Sequence, residues 1–151
     1  MTALIQRVNN AKVTIDGKIF SEINNGLLVL LGIHKTDKEE DTLHLAKKII
    51  DLRIFNDSDD KMNMNVKDID GEILVISQFT LCTDNGKSGN RPSFFKAELP
   101  ERANKLYELF IREMKLYYDN TKIKSGVFGA MMKVNLTNDG PVTILLQRNQ
   151  E

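Results

Sequence analysis

Two short stretches hold the residue types best suited to chemistry. Ser77-Gln78-Phe79-Thr80-Leu81 closes an apolar run, and Asn138-Asp139-Gly140-Pro141-Val142-Thr143 precedes the last one. Each sets hydroxyl or amide groups and exposed backbone where a strand stops, and strand ends are where a rigid scaffold presents chemistry. Backbone N–H groups near Phe79 and Thr80 could donate to a developing oxyanion. Thr80 as a covalent nucleophile would need a base, and none is close in sequence. The second stretch adds a Gly-Pro bond, one of the few places where a chain takes a cis peptide at modest cost, although taken alone such a bond is expected trans. Familiar catalytic sets are missing. His34 and His44 are the two histidines, neither at metal-ligand spacing from Cys82. No nucleophile elbow, P-loop or dinucleotide fingerprint occurs. Asp59 and Asp60 read as a solvated turn, and Cys82 has no basic neighbour in sequence to lower its pKa. No metal or cofactor is expected, and an enzyme built on this chain has to work without the usual base and nucleophile.

The elements that must position these groups follow from composition and periodicity. The chain of 151 residues, 41% hydrophobic and 28% charged, suits one domain over 1–151. No apolar run approaches the length of a membrane span, and the first residues lack the pattern of a secretory signal. A single cysteine fits a reducing, cytoplasmic setting. Ala11 to Ile15 and Lys18 to Phe20 flank Asp16-Gly17, a hairpin signal, and Asn24-Asn25-Gly26 is a second turn. Leu27 to Ile33 is a continuous apolar run, short enough for a strand covered on both faces. Thr36-x-x-Glu39 predicts a capping box opening a helix that buries Leu43, Ala46, Ile49 and Ile50. Asp70-Gly71 suggests another hairpin turn, and Glu72 to Leu81 reads as one strand. A second helix is expected from Pro100, burying Ala103, Leu106, Phe110 and Met114 with Tyr107 and Tyr117. Strands over Met132–Leu136 and Val142–Leu146 then flank an Asn-Asp-Gly-Pro turn. The fold class is therefore α/β: a single compact domain, with a mixed, largely antiparallel sheet, two main helices, and β-rich N- and C-terminal parts.

Net charge is zero, yet two stretches carry base without acid: Lys87, Arg91 and Lys96 in 86–96, and Lys122, Lys124 and Lys133 in 121–135. Such segments can meet a phosphate backbone locally.

In order and at matching spacing, these segments resemble the D-aminoacyl-tRNA deacylase family. The resemblance runs through Ala3-Leu4-Ile5-Gln6-Arg7-Val8, Gly26 to Gly32, Leu52-Arg53-Ile54-Phe55, Lys61-Met62-Asn63, Ser77 to Leu81, Arg91-Pro92-Ser93-Phe94 and Asn138 to Thr143. It implies a homodimeric, cytoplasmic, metal-independent editing hydrolase that cleaves the ester between a D-amino acid and the terminal ribose of tRNA. By position, Ser77, Gln78, Phe79 and Thr80 would form the catalytic pocket. Gly140 and Pro141, cis in the family, would reach the neighbouring subunit's pocket and reject L-amino acids, while achiral glycine would pass. Ala97, Phe128 and Met132 align with further substrate-binding positions. Lys87, Arg91, Lys122, Lys124 and Lys133 are the candidates for contact with the tRNA acceptor end.

Two mechanisms remain open at this point: water held by the substrate's own ribose hydroxyl, or attack by Thr80. Two other classes do as well. A non-catalytic RNA-binding module is disfavoured by 7% aromatic residues and no tryptophan. A small-molecule esterase would need a nucleophile–base pair.

Overall fold

The protein is described as a computed structural model over residues 1–84, 86 and 89–148. Its elements run β1 (Thr2–Ile15), β2 (Lys18–Ile23), β3 (Gly26–Gly32), α1 (Glu39–Ile50), β4 (Phe55–Asn56), β5 (Met62–Met64), β6 (Glu72–Ser77), α2 (Pro100–Tyr117), β7 (Ile123–Ser125) and β8 (Lys133–Gln147). A 3-10 turn, Phe79–Cys82, follows β6, and a shorter one, Asn120–Lys122, precedes β7.

β1 is the spine of the main sheet. It pairs antiparallel with β8 along one edge, and with β3 and then β2 along the other. β6 and β7 extend the sheet from β3 in parallel. The Asp16-Gly17 turn forms as expected, with φ of 50° and 77°. The apolar run of β3 is covered on both faces: Leu27, Val29 and Leu31 meet the helices, while Leu28 packs with Val8, Val13, Leu74 and Ile76 on the other side. α2 starts at Pro100, as expected, and buries Ala103, Leu106, Tyr107, Phe110 and Met114 against this layer. Truncating the fully buried Phe110 to alanine would cost about 3–5 kcal/mol.

Several expectations are corrected. Helix α1 begins at Glu39, and its cap is Asp41, whose Oδ2 accepts from the Lys38 N–H at 2.8 Å; Thr36 and Glu39 form no box. Leu43 points outward and Leu45 takes its core place. Tyr117 is exposed, with Lys47 Nζ 5.9 Å from its ring centroid. Asp70-Gly71 closes a tight turn, Gly71 N–H to Val66 O at 2.9 Å, but joins no hairpin because β5 pairs only with β4.

Strand β6 stops at Ser77. Gln78 N–H makes one last bond to Leu31 O at 2.8 Å, and β3 itself ends a residue later, so the chain coils instead of extending to Leu81. The expected turn at 138–141 is a bulge inside one strand. Gln6 faces Thr143 and Val8 faces Asn138, leaving Asp139 to Val142 opposite Arg7 alone.

Candidate active site

A cleft of about 700 Å³ opens at the C-terminal end of β6, within the size range of small-molecule sites. Ser77, Gln78 and Phe79 form one wall, Ala97 a second, and Phe128 and Met132 a third. Six residues singled out from sequence thus meet at one cavity. The Ala97 wall is held by backbone pairing: Lys35 N–H donates to Lys96 O at 3.0 Å and Glu98 N–H to Ile33 O at 2.9 Å. Phe94, from the Arg91-Pro92-Ser93-Phe94 segment of the resemblance, also lines the cleft, as do Glu98, Leu99 and Met131, which were not legible because their segments carry no periodic signal. Phe94 meets Phe79 edge-on with ring centroids 5.1 Å apart.

The 3-10 turn can fold back over β3 because residue 32 is glycine. A Cβ there would lie 2.9 Å from Leu81 Cβ and 3.1 Å from both Cys82 Sγ and Gln78 O. The first N–H groups of such a turn have no acceptor within it. Among the described residues those of Phe79 and Thr80 find no acceptor, Leu81 N–H being the first to bond back, to Gln78 O at 3.2 Å. Thr80 is exposed, and its hydroxyl oxygen accepts from the Gln78 side-chain amide. Among the described residues no imidazole or carboxylate bonds to it.

Burial pushes the Cys82 thiol up to about 11, and burial likewise lowers His34, whose Nε2 lies 3.0 Å from Thr2 Oγ1. Glu98 is pulled upward by burial, but the Leu99 N–H, Arg102 and Lys35 hold it below the usual carboxylate range. Among the described residues no three His, Cys, Asp or Glu side chains gather where they could hold a metal. No helix there is long and apolar enough to cross a membrane.

Gly140 and Pro141 lie elsewhere. Through the register of β8, β1, β3 and β6 the bulge is level with Ile73, four residues before Ser77 and three strands away. At ~3.3 Å per residue and ~4.8 Å per strand, that is about 20 Å from the cleft of the same chain. The Gly140–Pro141 bond is cis. Asn138 closes the bulge, its Oδ1 accepting from Val142 N–H at 3.1 Å and its Nδ2 donating to Thr143 Oγ1 at 3.0 Å. Arg7, buried, ties it to the start of β4: Nε donates to Asp139 O at 3.2 Å and Nη1 to Ile54 O at 2.9 Å.

The basic candidates divide. Arg91 and Lys133 are exposed, Arg91 in the loop before the Ala97 wall and Lys133 next to Met132. Lys122 pairs with Asp70 at 3.3 Å and Lys124 with Glu72 at 3.1 Å, both at the end of β6 and β7 remote from Ser77. Lys87 lies outside the described residues.

The profile of the D-Tyr-tRNA(Tyr) deacylase family matches residues 4–147. The chain belongs to that family. A D-aminoacyl-tRNA deacylase of Finegoldia magna is 54% identical over 151 residues, covering all of both chains. Among solved structures, a c-Myc DNA unwinding element binding protein superposes with a TM-score of 0.94 at 41% identity, over 99% of this chain and all of that one. A probable eukaryotic D-amino acid tRNA deacylase, 14% identical, shares the fold with a TM-score of 0.81 over 97% of this chain and 99% of that one. The cleft and the bulge are thus two features of one deacylase-family domain, with Val134 near the start of β8 lining the cleft and Gly140 farther along the same strand.

Proposed function

We propose that this protein is a D-aminoacyl-tRNA deacylase, an editing hydrolase that frees tRNA from D-amino acids. The observation that carries the reading is the cleft at the end of β6, where Ser77, Gln78, Phe79, Ala97, Phe128 and Met132 meet, in a chain 54% identical throughout to a curated deacylase. The aminoacyl ester lies across the orphan N–H groups of Phe79 and Thr80, which stabilise the oxyanion as water attacks. One such donor is worth about 3 kcal/mol, or two to three orders of magnitude in rate. The neighbouring ribose hydroxyl of the substrate holds the water. That assignment suits a Thr80 hydroxyl whose partner is an amide donor rather than a base.

Chiral selection falls to the Gly140–Pro141 loop, acting in trans. The loop stands about 20 Å from its own cleft by strand register, so a homodimer in which it enters the neighbour's cleft gives it a substrate to meet. There an L side chain collides with main chain and a D side chain points away, which rejects one hand without reading side-chain identity. Broad acceptance of D-residues and cleavage of glycyl-tRNA follow. Arg91 and Lys133 are placed to meet acceptor-end phosphates.

The deciding experiment incubates the protein with matched D- and L-aminoacyl-tRNA, with and without EDTA. Loss of the D-ester alone, unaffected by EDTA, supports the reading; ready L-ester cleavage or intact D-ester removes it. A second reading has one observation behind it, the name of the DNA-element binding protein that this chain resembles at 41% identity. Tight binding of duplex DNA with every ester left intact would favour that alternative.

A further inference from the structure

Two segments of the family resemblance lie outside the cleft and have been given no role: Leu52-Arg53-Ile54-Phe55 and Lys61-Met62-Asn63. In the fold they form a small hairpin, β4–β5, separate from the main sheet. Its base is anchored by buried Ile54 and Phe55. Its tip is tied by polar groups at the surface, half-buried Asp57 with exposed Arg53 and Asn63. Asp57 Oδ1 accepts from the N–H groups of Asp59 at 2.8 Å and Lys61 at 3.0 Å, and its Oδ2 accepts from Asn63 Nδ2 at 2.7 Å. Arg53 then donates to Asn63 twice, Nε to the main-chain oxygen at 2.9 Å and Nη2 to Oδ1 at 2.8 Å. The Asn63 side chain is therefore committed on both atoms, and the Asp57 carboxyl is held below its usual range by Asn63 and the two N–H groups.

Exposed polar pairs of this kind contribute little to global stability. What the knot does fix is the place of two acceptors on the hairpin, Ile54 O and Asn56 Oδ1, which receive Arg7 Nη1 at 2.9 and 3.4 Å. The same guanidinium holds Asp139, through its main-chain oxygen and its carboxylate, both at 3.2 Å. Arg7 also limits the bulge on its other side, since a Cβ on Gly140 would lie 2.9 Å from its Nη2. Hairpin, guanidinium and bulge form one continuous chain of contacts.

We infer that the Asp57–Asn63–Arg53 knot is a positioning device for the Gly140–Pro141 loop, so that residues remote from any cleft set how strictly the L-enantiomer is refused. This rests on the deacylase reading above. Misplacing a group by about 1 Å can cost about a hundredfold where geometry decides the outcome. A knot acting through one intermediate residue is expected to shift selectivity by about tenfold.

The test compares D- and L-aminoacyl-tRNA cleavage by the parent, Asn63→Ala, Asp57→Ala, Arg7→Ala, and Asn63→Ala combined with Arg7→Ala, with thermal unfolding of each. The expected result is a D-to-L ratio reduced about tenfold in each single knot variant, with little change in Tm. On the Arg7→Ala background Asn63→Ala should add nothing, because a relay already cut has no further effect. Because Asn63 and Asp57 loosen the hairpin from opposite ends, one variant that fails to fold leaves the other to decide. An unchanged ratio in a folded knot variant, or full additivity with Arg7→Ala, overturns the inference alone. A parent that leaves D-esters intact overturns the deacylase reading and this inference with it.

Discussion

At the residue scale, the decisive contrast is between what Thr80 and Cys82 look able to do and what their surroundings allow. A threonine becomes a nucleophile only when a neighbour takes its proton, and the Gln78 amide offers Thr80 a proton instead. Thr80→Ala is therefore expected to keep kcat/KM within about fivefold of the parent, against the several orders of magnitude lost when a true covalent nucleophile is removed. Single-turnover cleavage of D-aminoacyl-tRNA measures this, and a collapse of the rate would restore Thr80 as the attacking group. Cys82 is fully buried under the 3-10 turn, and burial raises its thiol from 9.0 to about 11. The folded state thus binds the proton more tightly than the unfolded chain. The resulting stability is complete below pH 9 and is lost as pH rises through 11, by about 2 kcal/mol for this group. Urea unfolding at pH 8 and pH 11 should show that loss, and Cys82→Ala should show a smaller one. The inert thiol was foreshadowed by the absence of basic partners near Cys82 in sequence. Nothing in sequence pointed to Glu98, whose place in the cleft comes from a loop paired to the end of β3.

At the element scale, sequence and structure part company wherever a strand's length depends on its neighbour. Helix α2 was legible because Pro100 and the apolar spacing behind it are local signals, and both survive in the fold. The Glu72–Leu81 run ends early as a strand because nothing within it says that β3 ends at Gly32 and leaves Phe79 onward without a ladder partner. The Asn-Asp-Gly-Pro segment differs from its expected turn for a related reason: both its flanks bond to β1, so a turn-forming composition becomes a bulge in one long strand. Gly32 is the element-level hinge of the site. An alanine Cβ there would press on Leu81, Cys82 and the Gln78 carbonyl together, at 2.9, 3.1 and 3.1 Å. The 3-10 turn would have to shift outward, at a cost of about 1–3 kcal/mol. Gly32→Ala should lower Tm by several degrees and reduce kcat on D-aminoacyl-tRNA by at least about tenfold. A variant with the lower Tm but unaltered kcat would show that the turn's seat on β3 does not set the oxyanion donors.

At the scale of the whole molecule, the question is how a loop about 20 Å from one cleft can govern what enters another. A monomer offers it no target: the bulge is level with Ile73 and the cleft begins at Ser77, with β1 and β3 between them. In the proposed homodimer each active unit draws its cleft from one chain and its loop from the other, which makes the two functions separable by mixing. Ala97→Trp fills the cleft from one wall, and a chain carrying it should cleave nothing while keeping its own loop. A chain with Arg7→Ala keeps an open cleft but lets go of Asp139 and, with it, the loop, and its homodimers should cleave L- as well as D-esters. In a mixed dimer the open cleft receives the sound loop of the Ala97→Trp partner. Activity should therefore return with D-selectivity close to that of the parent, in one site per dimer and at about half the parent's rate. If the loop instead served its own chain, the mixed dimer would cleave both enantiomers as the Arg7→Ala homodimer does. Assaying purified heterodimers, tagged differently on the two chains, against matched D- and L-aminoacyl-tRNA separates these outcomes, because selectivity can reappear only if the loop works across the interface.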